Sequence, residues 1–379
     1  MAIVVTEGEG NPVDAGFWRD RRVLVTGHTG FKGGWLSLWL QDLGAQVFGL
    51  SRGVPTVPSL YALAGVGAGM AGEIEADVRD PAAVAAGAER FEPEVVIHMA
   101  AQPLVRRAFA EPRETFETNV MGTVNVLEAV RGMSGVRVVV IVTSDKCYEN
   151  RDWEWGYRED EPMGGHDPYS SSKGAAELVT AAYRRSFFSD AGAPAVGSAR
   201  AGNVIGGGDW APERLVPDVV RAALDGDTLH IRNPAAVRPW QHVISPLSGY
   251  LLLAQSLWDS PELAGGWNFG PEEDDARPVS WIVEQMRERW GGRPRWEPDP
   301  GPHPHEAVYL KLDSSRARLR LGWRPLVPLN AALASIVDWH EALVAGADMR
   351  DLTLRQLRDL PHRPAGWHAT AGRAGEEPL

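Results

Sequence analysis

The tightest constraint in this chain is a short strand that runs straight into a glycine turn and then into a helix. Arg22-Val23-Leu24-Val25-Thr26 is apolar and rich in β-branched residues. Gly27-His28-Thr29-Gly30-Phe31-Lys32-Gly33 follows at once, and Trp35, Leu36, Leu38, Trp39, Leu40 and Leu43 then recur at helical spacing. Strand, Gly-x-x-Gly-x-x-Gly and helix in that order predict a dinucleotide-binding unit; the glycines without the flanking elements would be an ordinary turn. The glycines let backbone approach a pyrophosphate, which rests on the positive end of the helix. Gly27, Thr29, Gly30, Phe31 and Gly33 are the candidate contacts. Lys32 is either a contact to phosphate or substrate, or a solvent-facing residue.

Further apolar strands are predicted at Gln46–Leu50, Glu73–Ala76, Glu94–His98, Val136–Thr143 and Pro194–Ala201, separated by helical stretches. Such alternation with short connections implies an α/β fold, a Rossmann-type doubly wound parallel sheet with right-handed crossovers. Ligands then bind beyond the carboxyl ends of the strands. At the end of the second strand an NAD site often has an acid for the ribose. Here Ser51 and Arg52 stand instead, and Arg52 could accommodate a 2′-phosphate, so this position leaves NAD and NADP both open. Asp77 and Val78 are candidates for the adenine edge. Ala100, Ala101 and Gln102, after the fourth strand, are small or polar enough for cofactor to pass. His98 reads as a packed histidine. Pro112–Arg131 reads as one long helix with Phe116, Val120, Val124, Leu127 and Val130 on its apolar stripe. Asn119 interrupts that stripe, and a buried Asn needs partners; it is a candidate brace for the neighbouring turn or a cofactor contact.

The fifth strand delivers Thr143, Ser144, Asp145 and Lys146 to its carboxyl end. Downstream, Tyr169 and Lys173 are spaced i, i+4 and share a helix face. A Tyr phenol with a reference pKa near ~10 is a poor base at neutral pH. A nearby ammonium favours the phenolate, and a Ser hydroxyl can bond the same substrate oxygen. Together they could take a proton from a sugar hydroxyl while hydride leaves the same carbon. Tyr-x-x-x-Lys alone is commonplace on helix surfaces; its weight comes from the upstream strand and fingerprint.

From about Gly202 the pattern changes. Pro, Trp and Gly become frequent, and helices at Leu215–Leu224, Pro246–Trp258, Val279–Trp290 and Leu329–Leu343 alternate with short extended pieces. The division expected is a flexible leader (1–17), a dinucleotide-binding domain (18–201), a smaller α/β substrate lobe (202–345) partly interleaved with it, and a disordered tail (364–379). Arg214, Arg232, Arg238 and His242 are the lobe's candidates for a diphosphate, since guanidinium matches phosphate geometry. The 379 residues suffice for such a core. A net charge of −12 argues against non-specific nucleic-acid binding. No apolar run approaches the ~20 residues that span a bilayer. Cys147 is the only cysteine, which excludes an intrachain disulfide and fits a cytoplasmic protein; it reads as a packing residue. No metal-ligand spacing is visible.

These stretches resemble the extended short-chain dehydrogenase/reductase superfamily and, within it, the CDP-glucose 4,6-dehydratases. The resemblance covers roughly Trp18 to His340. It is carried by Thr26 to Gly33, by Thr143-Ser144-Asp145-Lys146-Cys147-Tyr148-Glu149-Asn150, by Pro162 to Tyr169, by Ala199 to Trp210 and by Arg238-Pro239-Trp240-Gln241-His242-Val243. It implies a redox-neutral lyase with NAD, a nucleotide-sugar substrate and a homodimer or dimer of dimers, with the Tyr169 and Phe116 helices as candidate contacts. It adds Gln102, Arg106 and Asn203 to the candidate substrate contacts. In the dTDP-glucose and GDP-mannose relatives an acidic residue stands where this chain has Lys146. There the Asp is general acid and its neighbour the base. Asp145 carries over directly; Lys146 as the C5 base must first lose a proton from a group with a reference pKa near ~10.4. Other readings are an epimerase, decarboxylase or reductase of nucleotide sugars, for which Asp145 and Lys146 would be dispensable, or a silent NAD-binding protein, which would need no phenolate.

Overall fold

Seven parallel strands form the central sheet of the computed structural model, which describes residues 13–301 and 309–359. In chain order they are β1 (Arg22–Thr26), β2 (Gln46–Ser51), β3 (Gly72–Glu75), β4 (Val95–His98), β5 (Val138–Val142), β6 (Ala195–Arg200) and a seventh, Gly266–Asn268. Across the sheet the order is seventh strand, β6, β5, β4, β1, β2, β3. The chain therefore reverses its direction of travel between β1 and β4, and a crevice opens there at the carboxyl ends. Thr26 sits between Leu50 and His98 in register, which sets the fingerprint turn over that crevice. Strands covered on both faces read as unbroken apolar runs. Val138-Val139-Val140-Ile141-Val142 is such a run, and every residue of it is buried.

The fingerprint helix Phe31–Asp42 is buried on nearly all sides because the helix Met349–Asp359 packs outside it. Trp35, Leu36, Leu38 and Leu40 are fully inaccessible. That outer helix has no counterpart in the sequence expectations. Of the expected leader, residues 1–12 lie outside the described residues, as does the expected tail. Residues 13–17 do not stay loose. Asp14 Oδ1 accepts from Gly16 N at 2.7 Å to cap the turn Ala15–Trp18, and buried Trp18 donates from Nε1 to Gln255 Oε1 at 2.8 Å.

The long helix expected over Pro112–Arg131 is broken. It runs Pro112–Phe116, passes through a wide π turn at Glu117–Met121, and resumes as Gly122–Arg131. Asn119 lies inside the wide turn, and Phe116, expected on the buried stripe, is 39% exposed. A boundary at 201/202 does not separate the sheet, because the seventh strand comes from residues 266–268 and pairs with β6. The helix Ile244–Asp259 likewise packs on β5 and β6. What remains apart is a small core of Val219, Val220, Ile282, Val283, Met286, Leu333 and Ile336, on helices Leu215–Asp225, Val279–Arg289 and Leu329–Val344.

One buried polar network ties these parts together. Glu177, on the helix Pro168–Ser186, accepts from Thr143 Oγ1 at 2.5 Å, from Ser198 Oγ at 2.7 Å and from an Arg200 nitrogen at 2.8 Å. Arg200 also donates to the Tyr148 hydroxyl at 2.6 Å, which donates to Asn268 Oδ1 at 2.7 Å. The network thus joins β5, β6, the seventh strand and the Tyr169 helix. Both charged groups are about 95% buried, so each depends on the other for its ionised state. Removing one partner of such a pair typically costs about 3–5 kcal/mol, because the survivor is left charged and unpaired. Arg200→Met should lower stability to urea by that amount, while the double variant with Glu177→Leu should recover much of it.

Candidate active site

A cavity of about 860 Å³ opens beyond the carboxyl ends of β4, β5 and β6. The sequence-predicted groups Ser144, Asp145, Lys146, Tyr169 and Lys173 all line it. The β5 strand ends at Val142; Ser144 is extended and caps the single turn Asp145–Cys147. Its Oγ accepts from Lys146 N at 3.2 Å and donates to Asp145 Oδ1 at 2.9 Å. Asp145 is 2% exposed and lies flat against Gly202, where a Cβ would come within 1.8 Å of a carboxyl oxygen. Only glycine at 202 leaves that space. Cys147 is buried in the same turn, its thiol pushed up by desolvation, and serves as packing.

Tyr169 and Lys173 occupy one face of their helix, whose N-terminus is capped by Asp167 bonding Ser170 N at 3.0 Å. Burial raises the Tyr169 phenol to about 12, against the downward pull of its hydrogen bond with Ser144 and of Arg214. This differs from the expected lowering by Lys173. The Lys173 ammonium donates to the Val142 carbonyl at 3.4 Å and is itself pushed down to about 8 by burial. The protein alone therefore holds the phenol protonated.

Lys32 does not simply face solvent. It lines the cavity and donates to the Tyr250 hydroxyl at 3.3 Å. Burial, then Lys173 and Arg214, push its amine down to about 7.

The cofactor side is compact. A Cβ at Gly33 would lie 2.1 Å from the Gly27 carbonyl oxygen, so the helix can start against the turn only without a side chain there. Gly27 in turn presses on Ala100, and Thr29 donates its hydroxyl to Gly53 O at 2.7 Å. Ser51 is buried with an unpartnered hydroxyl, which suits a ribose acceptor at the end of β2. The glycine cradle and that orphan hydroxyl fit a dinucleotide. Arg52 is engaged by Glu114 at 2.8 Å and by Asp77 at 3.6 Å, and Arg79 holds Asp77 at 2.6 Å. The adenosine end therefore carries carboxylates beside its arginine. Val78 is buried against Gly122. Ala101 lines the cavity.

Gln102 is turned away from its expected contacts, and Asn119 takes the bracing one of its two expected roles. Gln102 accepts from Leu104 N at 2.7 Å and donates to Thr115 Oγ1 at 2.9 Å, so it closes its own turn and faces neither ligand. Asn119 accepts from Gln102 N at 2.8 Å and donates to Ser172 Oγ at 2.8 Å, bracing that turn against the Tyr169 helix. Thr143 lines the cavity but gives its hydroxyl to Glu177. His98, as expected, is packed: its Nδ1 meets Thr26 Oγ1 at 2.7 Å and burial lowers it to about 3.

On the lobe side Asn203, Arg214, Arg232 and Arg238 line the cavity, as does Arg106 across from them. Arg214 reaches Asp209 at 3.3 Å, and Arg106 pairs with Glu213 at 3.0 Å, bridging the two sides of the mouth. His242 is the correction: it is fully buried, packs edge-on against Trp35 at 5.7 Å, and is kept neutral by burial at about 3. It cannot meet a diphosphate. Gly202, Glu177, Arg200 and Tyr250 escaped the sequence reading. An isolated acid four residues after Lys173 was the available signal for Glu177; Arg200 and Gly202 lie in the motif Ala199 to Trp210 without an assigned role, and Tyr250 has no signal without the fold.

The model of the GDP-mannose 4,6 dehydratase family matches residues 24–336. The chain belongs to this family. Among curated relatives, a CDP-glucose 4,6-dehydratase of Salmonella typhimurium is 51% identical over 352 residues, 92% of this chain and 98% of that protein. A dTDP-glucose 4,6-dehydratase of Xanthomonas campestris is 28% identical over 84% of this chain and 92% of its own. Among solved structures, the Thermus thermophilus UDP-glucose 4-epimerase complex with NAD superposes with a TM-score of 0.70 at 27% identity, covering 84% of this chain and 99% of that one. Like this dehydratase family, the chain is an NAD-dependent enzyme of the short-chain dehydrogenase/reductase fold, a hydro-lyase on nucleotide sugars. Carboxylates beside Arg52 disfavour a 2′-phosphate, so Glu114→Gln should tighten NADPH binding by roughly tenfold relative to NADH, measured by fluorescence titration.

Proposed function

We propose that the chain converts CDP-D-glucose to CDP-4-keto-6-deoxy-D-glucose. The observation that carries this is the meeting, in one cavity, of the Tyr169–Lys173–Ser144 redox set with the Asp145–Lys146 turn. The cytidine preference rests on the 51% identical relative. Bound NAD would accept hydride from C4 and return it to C6, with its ring's positive charge easing loss of the phenol proton. Tyr169 takes the C4 hydroxyl proton, aligned by Ser144. The C4 ketone acidifies the C5 proton, which Lys146 removes. Asp145 is the general acid for the C6 hydroxyl, which leaves as water. Lys146 then returns a proton to C5. Gly27, Gly30 and Gly33 hold the pyrophosphate of the cofactor, Ser51 its ribose, and Arg214, Arg232 and Arg238 the substrate diphosphate. A redox-neutral cycle needs no external reductant.

The assembly we favour is a homodimer through the Phe116 and Tyr169 helices, supported by their exposed apolar residues Phe116, Met121, Leu178 and Phe187. A cytoplasmic location is favoured by the buried, unpaired Cys147. Among the described residues no helix is long and apolar enough to cross a membrane.

Tyr169→Phe should abolish C4 oxidation, lowering turnover by at least about a thousandfold; near-normal turnover would sink the assignment. Lys146→Ala should spare C4 oxidation and stall elimination, so bound reduced cofactor should build up in the absorbance spectrum. Mass spectrometry of products from CDP-, dTDP-, GDP- and UDP-glucose in deuterated water should show loss of water and one deuterium at C5 with the CDP sugar. Water loss with a different sugar alone would overturn the base preference and keep the mechanism.

A further inference from the structure

Lys32 sits in the first turn of the fingerprint helix, next to the glycine cradle, yet its amine reaches the catalytic end of the cavity. That position is unfavourable for a cation on three counts. It lies at the positive end of a helix. It is desolvated, and the charged groups that act on it are Lys173 and Arg214, which repel it, and Asp145, the only one that attracts it. No carboxylate comes within 4.0 Å of it among the described residues; its partner is a phenol, Tyr250, which is itself completely buried. From the packed elements the groups that face it are therefore Asp145, Lys173, Arg214 and Tyr250. A cation placed against such costs acts on something in the cavity.

The cofactor's pyrophosphate would rest at this helix start, and its nicotinamide would have to come within hydride reach of a substrate carbon whose oxygen is held by Tyr169 and Ser144. Lys32 starts beside the first and its amine is close enough to Lys173 and Asp145 to feel their charge. We propose that Lys32 sets the balance between oxidised and reduced cofactor, its ammonium repelling the positively charged nicotinamide and so favouring the neutral reduced form. This rests on the NAD-dependent dehydration described above. The benefit is specific to a redox-neutral lyase: the reduced cofactor has to stay in place until its hydride is returned to C6. When C4 is oxidised, hydride and its electron pair cancel the ring's positive charge, and the repulsion from Lys32 disappears with it. The same step would be disfavoured on the return, where the C5–C6 enone is the driving acceptor.

The sign with pH follows. While Lys32 is charged NADH binds better relative to NAD; as pH rises and the amine, already lowered by burial, gives up its proton, NAD gains. Lys173, which titrates at about 8, acts in the same direction and remains in every variant below.

The test is equilibrium binding of NAD and of NADH to the full chain, by calorimetry and by nicotinamide fluorescence, without sugar substrate, between about pH 6 and pH 9. In the unaltered protein the ratio of NAD to NADH dissociation constants should fall by roughly tenfold as pH rises through the Lys32 titration. Lys32→Met should start at the low ratio and lose that step, retaining only the later one. Lys32→Arg should keep the high ratio through the Lys32 step and show only the later fall from Lys173. An equal loss of affinity for both forms in Lys32→Met, with the ratio unchanged, would make Lys32 a phosphate contact only and overturn the proposal. A pH-independent ratio in the unaltered protein would overturn it without any variant. Failure of either nucleotide to bind the unaltered chain would instead remove the cofactor assignment on which it rests.

Discussion

The ion pair between Glu177 and Arg200 is the interaction on which the rest of the structure leans. Two charges with about 95% of their side-chain surface removed from water are tolerable only with nearly every lone pair and proton engaged. Here most of that demand is met: Thr143 and Ser198 donate to Glu177, and the Tyr148 hydroxyl and the Glu159 carbonyl accept from Arg200, whose Nε alone is left without a partner. The pair's need for partners fixes where β5 ends relative to the Tyr169 helix. Ser144 and Asp145 follow directly from that end. The catalytic register is thus set by a group one helical turn beyond Lys173 that faces away from substrate.

Burial also decides the chemistry of the site. The same desolvation raises the Tyr169 phenol, lowers the Lys173 and Lys32 amines, and keeps His98 and His242 neutral. Two amines brought toward neutral pH and a phenol held protonated describe a site waiting for a charge to complete it. The nicotinamide ring of an oxidised cofactor would bring a positive one. Such a charge would stabilise the phenolate and so ease loss of the phenol proton, and under our proposal it would be repelled by Lys32.

Much of this was legible beforehand, for identifiable reasons. The strand–turn–helix fingerprint is local: Gly33 must be glycine because the Gly27 carbonyl, six residues back in the same turn, occupies the Cβ position. The order of apolar strands is equally plain, because strands covered on both faces show no alternation. Tyr169 and Lys173 share a face by spacing alone. The expectations that failed were of another kind. His242 looked like a polar ligand in a motif rich in arginine, but its partner is Trp35 from a helix two hundred residues away. Gln102 looked like a cofactor contact, but Thr115 and Leu104 absorb its amide. Phe116 fitted an α-helical stripe until the wide turn at Glu117–Met121 shifted the periodicity.

By itself, then, the sequence determined the Rossmann-type sheet, the dinucleotide cradle and the identity of the five groups that gather at the end of β5, since each depends on residues close in the chain. The tertiary structure alone decided which polar side chains face the cavity and what charge they carry there. Direction and desolvation come from contacts between distant segments: Gly202 against Asp145, Arg200 against Glu177, Tyr250 against Lys32. A lysine next to a glycine turn reads the same on paper whether it meets solvent or a catalytic cavity. Only the helix Ile244–Asp259, folded back over β5 and β6, closes off the first alternative.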